Sequence, residues 1–206
     1  MSAADGRIEG MEWGAAISSL DAGGCGDAHF VAPLSDGALV AAIDGLGHGV
    51  EAAAAARLAT QCLARNAAEP VALLIQRCHE ALHGTRGAAM TIASWHFEDS
   101  SMNWAGIGNV EAVLLRADRE AQPDRESITL RGGVVGYRLP SVRVSSVTLF
   151  RGDTLIMATD GIASEFISDV AREASPREVA ENVHRDYARG TDDALVLVVR
   201  YLGGSS

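Results

Sequence analysis

The chain has 206 residues, 48% hydrophobic and 21% charged, with a mean hydropathy of +0.09. That is ample for one compact domain with a sizeable core and too apolar for a disordered chain. Seventeen basic against 27 acidic residues leave a net charge of −10, which disfavours contact with a phosphate backbone, so no nucleic acid is expected. Charges and glycines interrupt every apolar run before it reaches bilayer length, so no membrane span is expected. The first residues lack the basic-then-apolar order of a signal peptide. Cys25, Cys62 and Cys78 are odd in number and show no C-x-x-C spacing, which reads as reduced thiols in a cytoplasmic protein. There is no Pro/Ser-rich linker and no internal repeat, so residues 1–206 read as a single domain, expected to be a monomer.

Taken in order, residues 12–20 alternate loosely and read as a strand, followed by a glycine-rich turn over 21–27 that ends in Asp27. Residues 28–34 read as a second strand, Ser35-Asp36-Gly37 as a hairpin turn, and the apolar run 38–43 as a third strand ending at Asp44. Asp44-Gly45-Leu46-Gly47-His48-Gly49 breaks the pattern, and an alanine-rich helix is expected over about 50–66. Glu69-Pro70 starts a second helix whose apolar positions Val71, Leu74, Ile75, Cys78 and Leu82 keep helical spacing. Residues 88–97 and 102–107 read as a hairpin pair and 110–116 as a further strand. The polar stretch 117–126 reads as a surface loop, and 128–130 and 142–149 as strands. Arg151-Gly152-Asp153 reads as a turn. The strand 155–159 ends at Asp160-Gly161, and a helical region is expected over about 162–173. Ser175-Pro176-Arg177-Glu178 opens a helix running to about Arg189, stopped by Gly190. Asp192-Asp193 leads into a last strand over 194–201, and 203–206 reads as a frayed tail. Many strands with grouped helices define an α+β fold, a mostly antiparallel sandwich with helices outside.

Asp27, Asp44, Asp160 and Asp192-Asp193 share one context, each lying at the end of an apolar strand next to glycine or a turn. Strand ends on one rim of a sandwich converge, and carboxylates brought together repel one another, so they take up protons or bind cations. Hard oxygen donors suit Mg²⁺ or Mn²⁺, and no Cys/His set has zinc spacing. Asp-Gly is also an ordinary turn pair, so each acid read alone is more often a turn former than a ligand, and only their recurrence at strand ends shifts the balance.

The series Gly26-Asp27, Asp44-Gly45-Leu46-Gly47-His48-Gly49, Thr159-Asp160-Gly161 and Asp192-Asp193 resembles the metal-dependent type 2C (PPM) Ser/Thr protein phosphatases. It is most similar to their bacterial SpoIIE-type branch and, within it, to the RsbX-like stress-response phosphatases. Trp104-Ala105-Gly106-Ile107-Gly108-Asn109 and Gly152-Asp153-Thr154-Leu155 are minor matches, and the likeness runs in order along nearly the whole chain. The resemblance implies a four-layer αββα fold: a sandwich of two antiparallel sheets flanked by α-helices. It also implies two Mn²⁺ or Mg²⁺ ions. Asp44 would bridge them, the Gly45 carbonyl would ligate one, Asp160 and Asp192 would bind the second, and Asp27 would ligate or hold an ion's water. Asp193 matches a more variable position. The implied activity is hydrolysis of phosphoserine and phosphothreonine in proteins, with phosphorylated STAS-domain regulators of a stressosome or partner-switching pathway as substrates. One departure stands out: the basic residue that grips phosphate on the first strand of the eukaryotic branch has no counterpart in 12–20.

Other readings make Gly45-Leu46-Gly47-His48-Gly49 a dinucleotide loop, or make the chain a non-catalytic partner-binding domain of the same fold. The first lacks the returning parallel strand with an acid about twenty residues on. Cys25 is not required as a nucleophile, His48 reads as a structural residue before a general acid, and His79 and His83, four apart on a helix, lack a third metal ligand.

Overall fold

In a computed structural model, which describes residues 1–20, 22–168 and 170–204, eleven strands form two antiparallel sheets. Asp21 of the glycine-rich turn, Asp169 of the expected helical region, and Ser205 and Ser206 of the tail lie outside the described residues. The first sheet holds β1 (Ser2–Ile8), β2 (Met11–Ser18), β7 (Glu111–Leu115), β8 (Arg125–Ser127), β10 (Thr154–Ala158) and β11 (Ala194–Tyr201), in the order β1-β2-β11-β10-β7-β8. The second holds β3 (Asp27–Leu34), β4 (Gly37–Gly45), β5 (Ala88–His96), β6 (Ser101–Ile107) and β9 (Ser145–Thr148), in chain order.

The strands alternate with period two, but both faces are apolar, because each sheet is covered on both sides. On β4, Ala38, Val40 and Ala42 face the other sheet, and Leu39, Ala41 and Ile43 face the helices. On β11, Leu195, Leu197, Val199 and Tyr201 point inward, and Ala194, Val196 and Val198 outward. The helices α1 (Val50–Asn66) and α2 (Val71–Ala81) cover the second sheet, and α3 (Pro176–Tyr187) covers the first. The result is the expected four-layer αββα sandwich. Alanines at 52, 55, 56 and 59 form the buried face of α1, so its backbone lies close to the sheet. The α3 start is the expected capping box: Ser175 accepts from the Glu178 N–H while the Glu178 carboxylate accepts from the Ser175 N–H.

Three elements differ from the sequence reading. β1 was not expected; it is an edge strand with little apolar signal, held by pairing along its whole length to β2. Residues 128–130 are not a strand. The ladder to β7 instead uses Arg125–Ser127, and beyond Ser127 the chain turns toward β6, where the Arg131 N–H reaches the Gly106 carbonyl. The expected helix over 162–173 reduces to a 3₁₀ turn, Ser164–Ser168. Its start is tied extended by Ile162 pairing with Ala188 and by the Ala163 N–H donating to the Tyr187 carbonyl.

Away from the acidic rim, Asp153 is 1% exposed and is filled by donors: Arg116 Nη1 at 2.7 Å, the Ala117 N–H at 2.9 Å and the Phe150 N–H at 3.0 Å. Arg116 also pairs with Glu126 and packs on the Phe150 ring. The Gly152-Asp153-Thr154-Leu155 match therefore carries a structural clasp. Asp153→Ala leaves a buried guanidinium with only Glu126 and the Thr148 carbonyl as partners. It is expected to cost about 3 kcal/mol of unfolding free energy in urea titration, with no change in divalent-ion affinity.

Candidate metal centre

Asp27 opens β3 and Asp44 stands next to the end of β4, and the antiparallel register makes them direct partners. Directly opposed residues share a face, with Cβ atoms about 5 Å apart. Because Val40 and Ala42 face the other sheet, Asp44 does too, at the rim where the ladder runs out. Asp27 is 5% exposed and Asp44 half-buried.

The first sheet delivers the remaining acids to the same rim. Thr159, just past β10, donates its hydroxyl to Asp27 Oδ2 at 2.6 Å and accepts the Leu195 N–H at 2.9 Å, so one hydroxyl ties the two sheets together. The next residue, Asp160, is exposed and accepts from Asn109 Nδ2 at 2.5 Å. Gly161 lets this turn lie against the 192–194 turn, since a Cβ there would stand 1.9 Å from the Asp193 carbonyl oxygen. Gly45 plays the same part beside Asp44, where a Cβ would meet the Ala52 carbonyl oxygen of α1 at 2.3 Å. In both Asp-Gly pairs the glycine permits a close backbone approach. Asp192 is exposed and accepts the Asp193 N–H, whereas Asp193 is buried and accepts the N–H groups of Leu20 and Gly26. Asp193 thus clasps the glycine-rich turn that leads into Asp27.

The carboxyls perturb one another. Burial, and then the charges of Asp44, Asp193 and Asp160, push Asp27 up to about 8, against the pull of the Thr159 hydrogen bond. Burial and the charges of Asp160, Asp192 and Asp193 push Asp44 up to about 7. Asp160 is raised by burial and by Asp192, with Asn109 and Arg189 opposing. A divalent cation relieves this repulsion, and the donors are carboxylate and carbonyl oxygens without a thiolate or imidazole set, which fits Mg²⁺ or Mn²⁺ and not zinc. Among the described residues no three His, Cys, Asp or Glu side chains, as they stand, are grouped so that they could hold a metal ion.

The other candidates fall outside this chemistry. The Cys25 thiol is pushed up to about 12 by burial and the neighbouring acids, which keeps it protonated and a poor nucleophile. His48 is exposed in the loop before α1. His79 accepts the Gly136 N–H at 2.9 Å and stacks edge-on with His83, so the pair fastens a loop. Thr159, Asn109 and the clasp made by Asp193 escaped the sequence reading as site residues. Thr159 and Asn109 lie inside the quoted matches Thr159-Asp160-Gly161 and Trp104 to Asn109, which were the available signal.

The sandwich is that of the Ser/Thr protein phosphatases: the catalytic domain of PstP in complex with two manganese ions superposes with a TM-score of 0.71 at 18% identity, covering 93% of this chain and 98% of that one. A crystal structure of RsbX in complex with magnesium gives a TM-score of 0.86 at 21% identity, over 97% of this chain and all of the other. The phosphoserine phosphatase RsbX of Bacillus subtilis (strain 168) is 26% identical over 179 residues, 86% of this chain and 87% of its own. The chain belongs to the stage II sporulation protein E (SpoIIE) family, whose model matches residues 35–202. That match includes Asp44, Gly45, Asp160 and Asp192 and begins after Asp27.

Proposed function

We propose that this protein, as one domain over residues 1–206, is a Mn²⁺- or Mg²⁺-dependent phosphatase that hydrolyses phosphoserine and phosphothreonine in protein substrates. The observation that carries this reading is the direct opposition of Asp27 and Asp44 in one ladder, at the rim to which the other sheet brings Asp160 and Asp192. Asp44 with the Gly45 carbonyl, Asp160 and Asp192 would hold two ions, and Asp27 would ligate or orient a water. Such ions would supply a water of lowered pKa and offset the charge of the phosphate dianion.

The chain's own residues do the rest by positioning. The Thr159 hydroxyl fixes Asp27 and the spacing of the two sheets, Asn109 turns Asp160 toward the rim, and Asp193 holds the turn before Asp27 in place. The Cys25 thiol, held protonated, is unsuited to form a phosphoenzyme. Kinship with RsbX favours phosphorylated STAS-domain regulators of a stressosome or partner-switching pathway as substrates. The test is release of phosphate from p-nitrophenyl phosphate and from a phosphorylated STAS-domain protein, with Mn²⁺ and with EDTA. Metal-dependent turnover of both is expected. Turnover of the small ester alone would remove the substrate assignment, and no turnover of either would leave a partner-binding domain of this fold.

A further inference from the structure

From Ser127 to Gly152 the sequence holds four arginines, Arg131, Arg138, Arg143 and Arg151, and no acid, in a chain with a net charge of −10. The middle of this segment is fastened to the rim that carries the carboxylates. The Gly108 N–H donates to the Arg131 carbonyl at 2.9 Å, one residue before Asn109, the partner of Asp160. Val135 and Ala88 exchange both backbone bonds at 2.9 Å, and Gly87 in turn accepts the Leu46 N–H at 3.0 Å, two residues beyond Asp44. His79 holds the Gly136 N–H, and Val134 and Arg138 close the turn between them. Residues 131–138 are thus a built loop at the mouth of the site.

Its side chains are available. Arg138 is exposed and Arg131 half-exposed, neither has an ion-pair partner among the described residues, and Tyr137 between them is 82% exposed. Arg86, on the same side, reaches over Gly47 and is held only by an exposed pair with Glu51. Guanidinium groups beside an exposed aromatic ring favour carboxylate-bearing polypeptide. We propose that Arg131, Tyr137 and Arg138 form a docking surface for an acidic segment of the protein substrate, next to the phosphorylated residue. The proposal rests on the phosphatase reading for its partner.

The test separates the two readings. Binding is measured in EDTA, without turnover, by fluorescence anisotropy of a phosphoserine peptide flanked by Asp and Glu, and of the same peptide with Ser and Gln flanks. For the acidic peptide, Arg131→Glu/Arg138→Glu is expected to raise Kd about tenfold or more and to abolish the salt dependence. The neutral peptide should bind weakly to both proteins. In parallel, kcat/KM for p-nitrophenyl phosphate should be unchanged by the double substitution. Equal affinity of wild type for the two peptides, or an unchanged Kd in the variant, overturns the docking surface. A wild type inactive on the small ester overturns the phosphatase reading and leaves the binding result standing.

Discussion

Asp44→Asn is expected to lower kcat on p-nitrophenyl phosphate about a thousandfold, equivalent to about 4 kcal/mol of transition-state stabilisation, and at the same time to raise the melting temperature of the metal-free protein. The two effects have one cause. Asp44 is half-buried opposite Asp27, with Asp160, Asp192 and Asp193 raising its pKa, so its charge is disfavoured in the fold unless a cation is present. An amide of the same shape removes the repulsion and with it the anionic oxygen that the proposed metal site would need. A side chain that only closed its own turn would give the opposite pattern, with activity near wild type and stability unchanged or reduced. Asp160→Asn is expected to lose activity comparably with a smaller gain in stability, since that side chain is exposed. Circular dichroism and thermal melts in EDTA, beside steady-state kinetics in Mn²⁺, separate these outcomes.

The second large effect is on pH dependence. Asp27 and Asp44 are raised to about 8 and about 7 from an ordinary 3.8, so the folded protein keeps protons that the unfolded chain has already released. Their contribution to stability is full below about pH 4. It declines as pH rises and is lost once pH passes the folded values of about 7 and about 8. In EDTA, the wild-type melting temperature is therefore expected to fall between pH 5 and pH 8 (about the span between the unfolded and folded values), relative to an Asp27→Asn/Asp44→Asn variant. Under the proposed ligand assignment metal binding would displace the same protons, so Mn²⁺ is expected to bind more tightly and stabilise more as pH rises over that span. A wild type that tracks the double variant at every pH would show that the two carboxyls are not held against their charge.

Much of this was legible in the sequence because the relevant signals are local. The apolar run before Asp44 and the one before Asp160 read as buried strands, and the glycine after each acid marked the break. The structure adds that Gly45 and Gly161 admit carbonyl oxygens of Ala52 and Asp193, a contact between distant segments that composition does not reveal. The opposition of Asp27 and Asp44 depends on strand register, fixed by the tight Asp36-Gly37 hairpin, and so was readable in principle. Thr159 passed as a strand residue because its partner Asp27 lies 132 positions away. β1 went unread because an edge strand held by backbone pairing needs no apolar pattern. The stretch after Ile162 has helical spacing, but its start is committed to pairing with Ala188, so tertiary contacts override local preference there.

The most direct measurement is anomalous scattering from a manganese-soaked crystal. Two peaks at the rim, ligated by Asp44 and by Asp160 and Asp192, are expected, and they should vanish in Asp44→Asn. Density lacking any peak beside Asp44, or manganese bound only elsewhere on the acidic surface, would contradict a metal centre built from these strand ends.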